Sequence, residues 1–296
     1  EFTDIAGLVA GASHGEGLGN KFLSHIREVD AICEVIRCFD NDNITHVNGS
    51  IDPARDADII NVELILADLE VVQTRIAKIG KKSKLSNDKA AKLEVALLER
   101  IEKTLLDNKP VRSLVFTGEE EKVIKSFSLL TAKPIIYIAN VNEDELAGNK
   151  YVDALKEYAS IEGAQVIVIC AKIEAELAEL SDEDRDEFLK DMGIAEPGLD
   201  VLVKRAYSLL GLETFLTCGT DEVRAWTFRK GMTAPECAGV IHTDFQKGFI
   251  KAEVMSFCDL EKYGSELKVK ENGRLRLEVK DYVMQDGYIC YFRFNV

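Results

Sequence analysis

The sequence predicts an α/β protein: a doubly wound parallel sheet, broken by a helical insertion and followed by a smaller β-rich domain. Three observations carry this. Near-continuous apolar runs recur at 31–39, 134–139 and 165–170, the pattern of strands buried on both faces. A helical stretch at 151–161 separates the last two, giving strand, helix, strand. Beyond Gly211 the apolar period changes to two, in 223–228 and again in 274–279, which marks a separate domain.

Taken in order, residues 1–5 read as the end of a strand, 7–19 as a glycine-rich loop and 20–28 as a short amphipathic helix. The strand at 31–39 is closed by Asp40, Asn41, Asp42 and Asn43. From 53 to 79, Ile59, Val62, Leu66, Leu69 and Ile76 follow helical spacing; a second helix carries Ala90, Leu93, Leu97, Ile101 and Leu105. The polar stretch 80–88 between them reads as a turn, so the two helices form an antiparallel hairpin or short coiled coil. Its tip holds Lys78, Lys81, Lys82 and Lys84, a basic knot or simply a solvated helix end. Helices are expected at 182–192 and 199–210. The final domain is expected to hold one helix at 235–242 and a hairpin turn at Gln285-Asp286-Gly287, a β-grasp arrangement. The expected organisation is 1–58 and 129–211 as two parts of one sheet domain, 59–128 as the inserted helical hairpin and 212–296 as the β-grasp domain.

The chain of 296 residues is long enough for two domains, and 46% hydrophobic content supports packed cores. Net charge is −15, from 37 basic and 52 acidic residues. That field excludes a general nucleic-acid coat, so DNA is not an expected partner. The charge is uneven: residues 213–296 hold 12 basic and 13 acidic side chains, so this part alone approaches a polyanion without strong repulsion. No apolar run reaches the ~18 residues of a membrane span, and the opening residues have no leader pattern. The seven cysteines are scattered without a C-x-x-C pair. Buried, reduced thiols, no zinc site and a cytoplasmic location are expected.

Three short motifs stand at strand ends. Asp4-Ile5-Ala6-Gly7 matches the D-x-x-G of P-loop NTPases, where the Asp meets Mg²⁺ through water and the glycine amide senses the γ-phosphate. Asn140-Val141-Asn142-Glu143 follows a buried strand where GTPases place N-K-x-D. There the Asn braces the nucleotide loop and the Asp takes two donors from guanine. Glu143 is one methylene longer, which misplaces the carboxylate for that grip, so adenine is the expected base. Cys170-Ala171-Lys172 follows the next strand and is similar to the S-A-K loop that supports the base. In this order, each at a strand's carboxyl end, the three are far more specific than any one alone.

With these motifs the chain resembles the YchF/Obg-like ATPases, translation-associated P-loop NTPases of the Obg group, and looks nearest to bacterial members. Supporting residues run throughout: Gly15-Glu16-Gly17-Leu18-Gly19-Asn20, His242-Thr243-Asp244-Phe245, Gly248-Phe249-Ile250 and Phe292-Arg293-Phe294-Asn295-Val296. The resemblance implies an ATP-hydrolysing, Mg²⁺-dependent, ribosome-binding protein with an inserted helical hairpin and a C-terminal TGS domain. It carries nucleotide contacts onto Asn140, Val141 and Glu143, with Cys170, Ala171 and Lys172 beside them, and second-switch roles onto Asp4 and Gly7. Leu8 stands where many GTPases place a water-orienting Gln. The family assigns that role to a loop histidine, here His46, whose imidazole can orient water or act as base; His14, His25 and His242 are left as structural.

The chain contains no G-x-x-x-x-G-K-[S/T]. The family carries this motif, with the first-switch Thr that binds Mg²⁺, ahead of the strand ending in Asp4. The expectation is that an N-terminal part is absent and that, without the amide cradle and its Lys, this chain alone is inactive. Two other readings compete. A Rossmann enzyme is suggested by Gly15-x-Gly17-x-Gly19 with Asp40 beyond the next strand, but Asn20 occupies the third glycine's place and the loop from Asp4 is too long. A non-catalytic RNA- or ribosome-binding module is suggested by Arg224, Arg229, Lys230, Lys247 and Lys251 near Trp226, Phe228 and Phe249. Trp226 itself is expected to be buried.

Overall fold

The structure, a computed structural model, describes residues 1–5, 18–46, 49–85, 89–219 and 222–295, with backbone alone for 18–22 and 80–85. It divides into two compact units, Glu1–Leu202 and Val203–Val296.

The first unit runs α1 (Leu18–Glu28), β1 (Ile32–Arg37), α2 (Pro53–Leu85), α3 (Lys89–Leu106), α4 (Gly118–Lys125), β2 (Ile135–Asn140), α5 (Lys150–Ile161), β3 (Gln165–Ile169), α6 (Ala171–Glu179) and α7 (Asp182–Asp191); α8 (Gly198–Leu210) crosses the boundary. The strands form a parallel sheet in the order β1-β2-β3. Five of the six residues of β2 are buried, as its apolar run requires of a central strand. On one face Ile36, Tyr137 and Ala139 pack with Val152, Leu155 and Ala159 of α5 and Ile173 of α6. The register levels the three strand ends, Arg37 beside Asn140 and Asn140 beside Ile169.

Helices α2 and α3 run antiparallel, burying Ile65 and Val72 against Leu97, Leu98, Ile101 and Leu105. Polar links cross the seam at Arg75–Glu94 (2.7 Å) and Gln73–Glu102 (3.0 Å). At the base, buried Asp68 accepts from the amides of Leu130 (2.9 Å) and Thr131 (2.7 Å) and from the Thr131 hydroxyl (2.8 Å), with the Arg27 guanidinium 3.7 Å away. This carboxylate ties α2 to the segment that leads into β2.

The second unit contains β4 (Leu212–Cys218), β5 (Val223–Arg229), α9 (Ala234–Ile241), α10 (Thr243–Lys247), β6 (Phe249–Ser256), α11 (Phe257–Tyr263), α12 (Glu266–Glu271), β7 (Arg276–Glu278) and β8 (Tyr288–Phe294). Its mixed sheet has the order β5-β4-β8-β6-β7, parallel only between β4 and β8. One face buries Phe215, Phe228, Phe249 and Phe292 with Cys237 and Ala238 of α9.

Several expectations are corrected. Residues 1–5 form no strand. An extended segment becomes a strand only with a ladder partner, and Ile5 instead packs against Leu23, Ile26, Leu64 and Leu130. Helix α2 runs on to Leu85 rather than turning at 80. One glycine costs a helix only about 1 kcal/mol, too little to end it. Among its described residues the last domain has four helices where one was expected: α10, α11 and α12 are only five to seven residues long and too short to display a period. Gln285-Asp286-Gly287 is a turn but joins no hairpin: β7 and β8 both pair with β6. The turn docks on β4, where the Thr214 amide donates to Asp286 and the Gly287 amide to the Thr214 carbonyl (both 2.8 Å). All seven cysteines are free, yet Cys218 and Cys258 are exposed. No helix of the described residues is long and apolar enough to cross a membrane.

Candidate functional site

The carboxyl ends of β1, β2 and β3 open into three loops that are stitched together. Asn140 closes β2 with its side chain turned across the sheet edge, where its Oδ1 accepts from the Ala171 amide at 3.0 Å. Val141 continues the ladder for one more bond, its amide donating to the Ile169 carbonyl at 2.9 Å, and is buried. Cys170 is buried between them. Asn142 then caps a short 3-10 turn over Glu143–Glu145. On that turn Glu143 forms an ion pair with Lys172, which also lies 4.0 Å from Glu176. The hydrogen bond to Glu143 holds the Lys172 ammonium above the usual lysine range. Both groups are largely exposed, so the pair orients the two loops more than it stabilises the fold.

The loop after β1 folds over Arg37, whose guanidinium donates to the carbonyls of Phe39 (3.1 Å), Asn41 (3.2 Å) and Ile44 (3.0 Å). Asn149 joins this loop to α5: its Oδ1 caps the helix at the amides of Tyr151 and Val152 (both 3.0 Å), and its Nδ2 donates to the Cys38 carbonyl at 2.8 Å. His46 lies further along this loop, with its Nε2 2.9 Å from Asp56 Oδ2 in the first turn of α2. The same Asp56 and Glu145 raise the buried Cys38 thiol, which burial pushes up to about 12. Asp56 and Glu145 are therefore both within electrostatic reach of one strand end.

The structure thus brings Asn140, Val141, Glu143, Cys170, Ala171 and Lys172 together, while His46, in the loop after β1, is held by Asp56. Asp4 is exposed beside Ile5, and among the described residues no hydrogen bond or ion pair joins it to these loops. Gly7, Leu8, His14, Gly15, Glu16 and Gly17 lie outside the described residues, as do the side chains of Lys81, Lys82 and Lys84. In the second unit Phe228 and Phe249 are core residues, so they offer no face to a nucleobase. Trp226 is half-buried rather than buried, with the Arg224 guanidinium 4.1 Å over its ring. Sequence reasoning missed Arg37, Asn149 and Asp56. Only Asn149 left a signal, as an Asn directly before a helix.

Comparison with known proteins bears on this edge. The chain is 56% identical over its whole length to the ribosome-binding ATPase YchF of Bacillus subtilis, covering 81% of that protein. It belongs to the YchF family. The YchF of Haemophilus influenzae is 54% identical, again over all of this chain and 81% of that protein. Obg-like ATPase 1 of Caenorhabditis elegans is 42% identical, over 99% of this chain and 75% of that protein. Residues 212–295 match the YchF-GTPase_C family, described as a protein of unknown function (DUF933). The solved Schizosaccharomyces pombe YchF GTPase superposes with a TM-score of 0.84 at 38% identity, over 97% of this chain and 78% of that one. The mixed α/β architecture is therefore that of a YchF protein, and the family is one of nucleotide hydrolases.

An ATPase implies magnesium. Among the described residues no three His, Cys, Asp or Glu side chains converge to hold a metal, and Asp4 by itself supplies one carboxylate. By themselves the described residues do not enclose a metal ion. A cavity of about 690 Å³ lies elsewhere, between α1 and α2, lined by Leu23, Arg27, Glu70 and Lys78.

Proposed function

We propose that this chain is the greater part of a cytoplasmic, ribosome-binding ATPase and that the loops after β2 and β3 receive its adenine base. The observation that carries the reading is the Asn140–Ala171 hydrogen bond, with Glu143 on the adjoining turn. A side-chain amide that locks two loops at level strand ends makes a preformed slot for a planar base. A glutamate in that slot, already paired with Lys172, does not offer guanine its two-point acceptor. The ribosome-binding ATPases that this chain is similar to support the same reading. In it His46, held by Asp56, orients the attacking water. Magnesium would shield the charge of the nucleotide's phosphates, and of the residues assigned here Asp4 is the carboxylate that would reach it through water.

In this reading α2 and α3 are the inserted coiled-coil hairpin, and residues 212–296 a TGS domain of β-grasp type. Together they touch ribosomal RNA through basic side chains, and nucleotide state switches that contact. The chain as it stands has no phosphate-binding loop and does not hydrolyse ATP. Equilibrium binding of a fluorescent ATP analogue tests this: affinity weaker than micromolar is expected, and micromolar affinity contradicts it. In the protein carrying its phosphate-binding loop, Glu143→Asp is expected to shift preference toward GTP by about tenfold or more. An unchanged base preference refutes the role given to Glu143. Co-sedimentation with ribosomes is expected to be salt-sensitive and to fall on charge reversal of Lys81, Lys82 and Lys84. Equal ribosome affinity with ATP and ADP removes the switching role.

A further inference from the structure

The first unit buries a polar cluster that the nucleotide reading does not use. Glu34 lies on the inner face of β1, opposite Tyr137 in the ladder. It is 9% exposed, and both its carboxyl oxygens are buried with no hydrogen-bond partner. Around it stand the side chains of four other elements. Arg112, in the short turn Val111–Ser113, donates from Nε to Glu162 at 2.8 Å, and its second nitrogen lies 2.6 Å from the same carboxylate. The Tyr137 hydroxyl donates to Glu162. Asn61 of α2 donates to the hydroxyls of Tyr137 (2.7 Å) and Tyr158 (3.0 Å) and accepts from Arg112 (2.7 Å). Arg112 and Glu162 are themselves 9% and 8% exposed.

One guanidinium therefore serves two carboxyl groups, and Glu162 holds it. A second carboxylate, buried without a donor, is the costliest state that a side chain can adopt. We propose that Glu34 is a proton-operated latch. As a neutral acid it leaves Arg112 to Glu162 and Asn61; on releasing its proton to solvent it competes for that guanidinium and loosens the junction of α2, α5 and the sheet. Burial pushes the Glu34 carboxyl up to about 8, with Arg112 lowering it and Glu162 raising it. Of the neighbouring titratable groups, Tyr137 and Tyr158 are both raised, chiefly by burial, and stay neutral throughout. The native state thus binds this proton more tightly than the unfolded chain does. The stabilisation is whole below the ordinary 4.5, drains as pH rises from there, and is gone above about 8.

The test is denaturant unfolding of the whole chain and of Glu34→Gln between pH 5 and 9. One linked proton makes the wild-type unfolding constant rise about tenfold per pH unit relative to the variant, up to the native midpoint. Hydrogen exchange of amides 111–114 and 158–163 is expected to quicken above pH 8 in wild type more than in the variant at the same pH. A constant difference between the two proteins across the range overturns the proposal. Carbon-13 titration of the Glu34 carboxyl in the wild type does not depend on the variant's folding. A midpoint near 8 supports the latch, and one near 4.5 overturns it.

Discussion

Three donors converge on the buried carboxylate of Asp68, and each loses its partner if the side chain is cut back. Burial raises the Asp68 carboxyl, while the Thr131 and Leu130 amides and Arg27 pull it down. Asp68→Ala is expected to cost about 2–4 kcal/mol, since buried donors stripped of an acceptor carry most of the penalty; denaturant unfolding measures it. Asn140→Ala removes one exposed hydrogen bond and is expected to cost only about 1 kcal/mol in the same assay. A candidate base-binding side chain can thus be removed without losing the fold. At this scale the site was half legible. Asn140, Glu143 and Ala171 follow apolar runs by one to four residues, so their place at the strand ends follows from the strands. His46 emerged only through the family resemblance. Arg37 holds carbonyls two to seven residues further on and Asp56 meets a histidine ten residues earlier, through an irregular loop path that the sequence does not signal.

Of the described glycines, Gly248, between α10 and β6, leaves the least room for a side chain. A Cβ there would stand 2.0 Å from the Asn295 carbonyl oxygen, while the Asn295 amide donates back to Gly248 at 2.9 Å. Gly248→Ala is expected to cost about 1–3 kcal/mol by forcing the end of β8 away, which thermal unfolding reads. The strands of the first unit were legible because parallel strands buried on both faces are apolar without interruption. The short helices of the second unit were not. They rest on single caps: Ser256 accepts from the Asp259 amide, Ser265 from the Lys268 amide. Nor was pairing order legible. The alternating stretch at 274–279 yields only a three-residue strand, Arg276–Glu278, because β6 is its sole partner.

On the scale of the whole chain, two compact units with separate apolar cores are expected to unfold as two transitions. Trp226 is the only tryptophan and belongs to the second unit, whereas α2 and α3 supply much of the helix in the first. Tryptophan fluorescence and far-ultraviolet dichroism should therefore trace different denaturation curves; coincident curves would show one cooperative unit. Helix α2 has a further mechanical meaning. Its 33 residues make a rod of about 50 Å, gripped near its root by Asn61 and Asp68. A tilt of about 10° at Asn61 sweeps Leu85 through about 6 Å, given 1.5 Å of rise per residue. Small rearrangements at the foot are thereby magnified at the far end, as in a pointer on a dial.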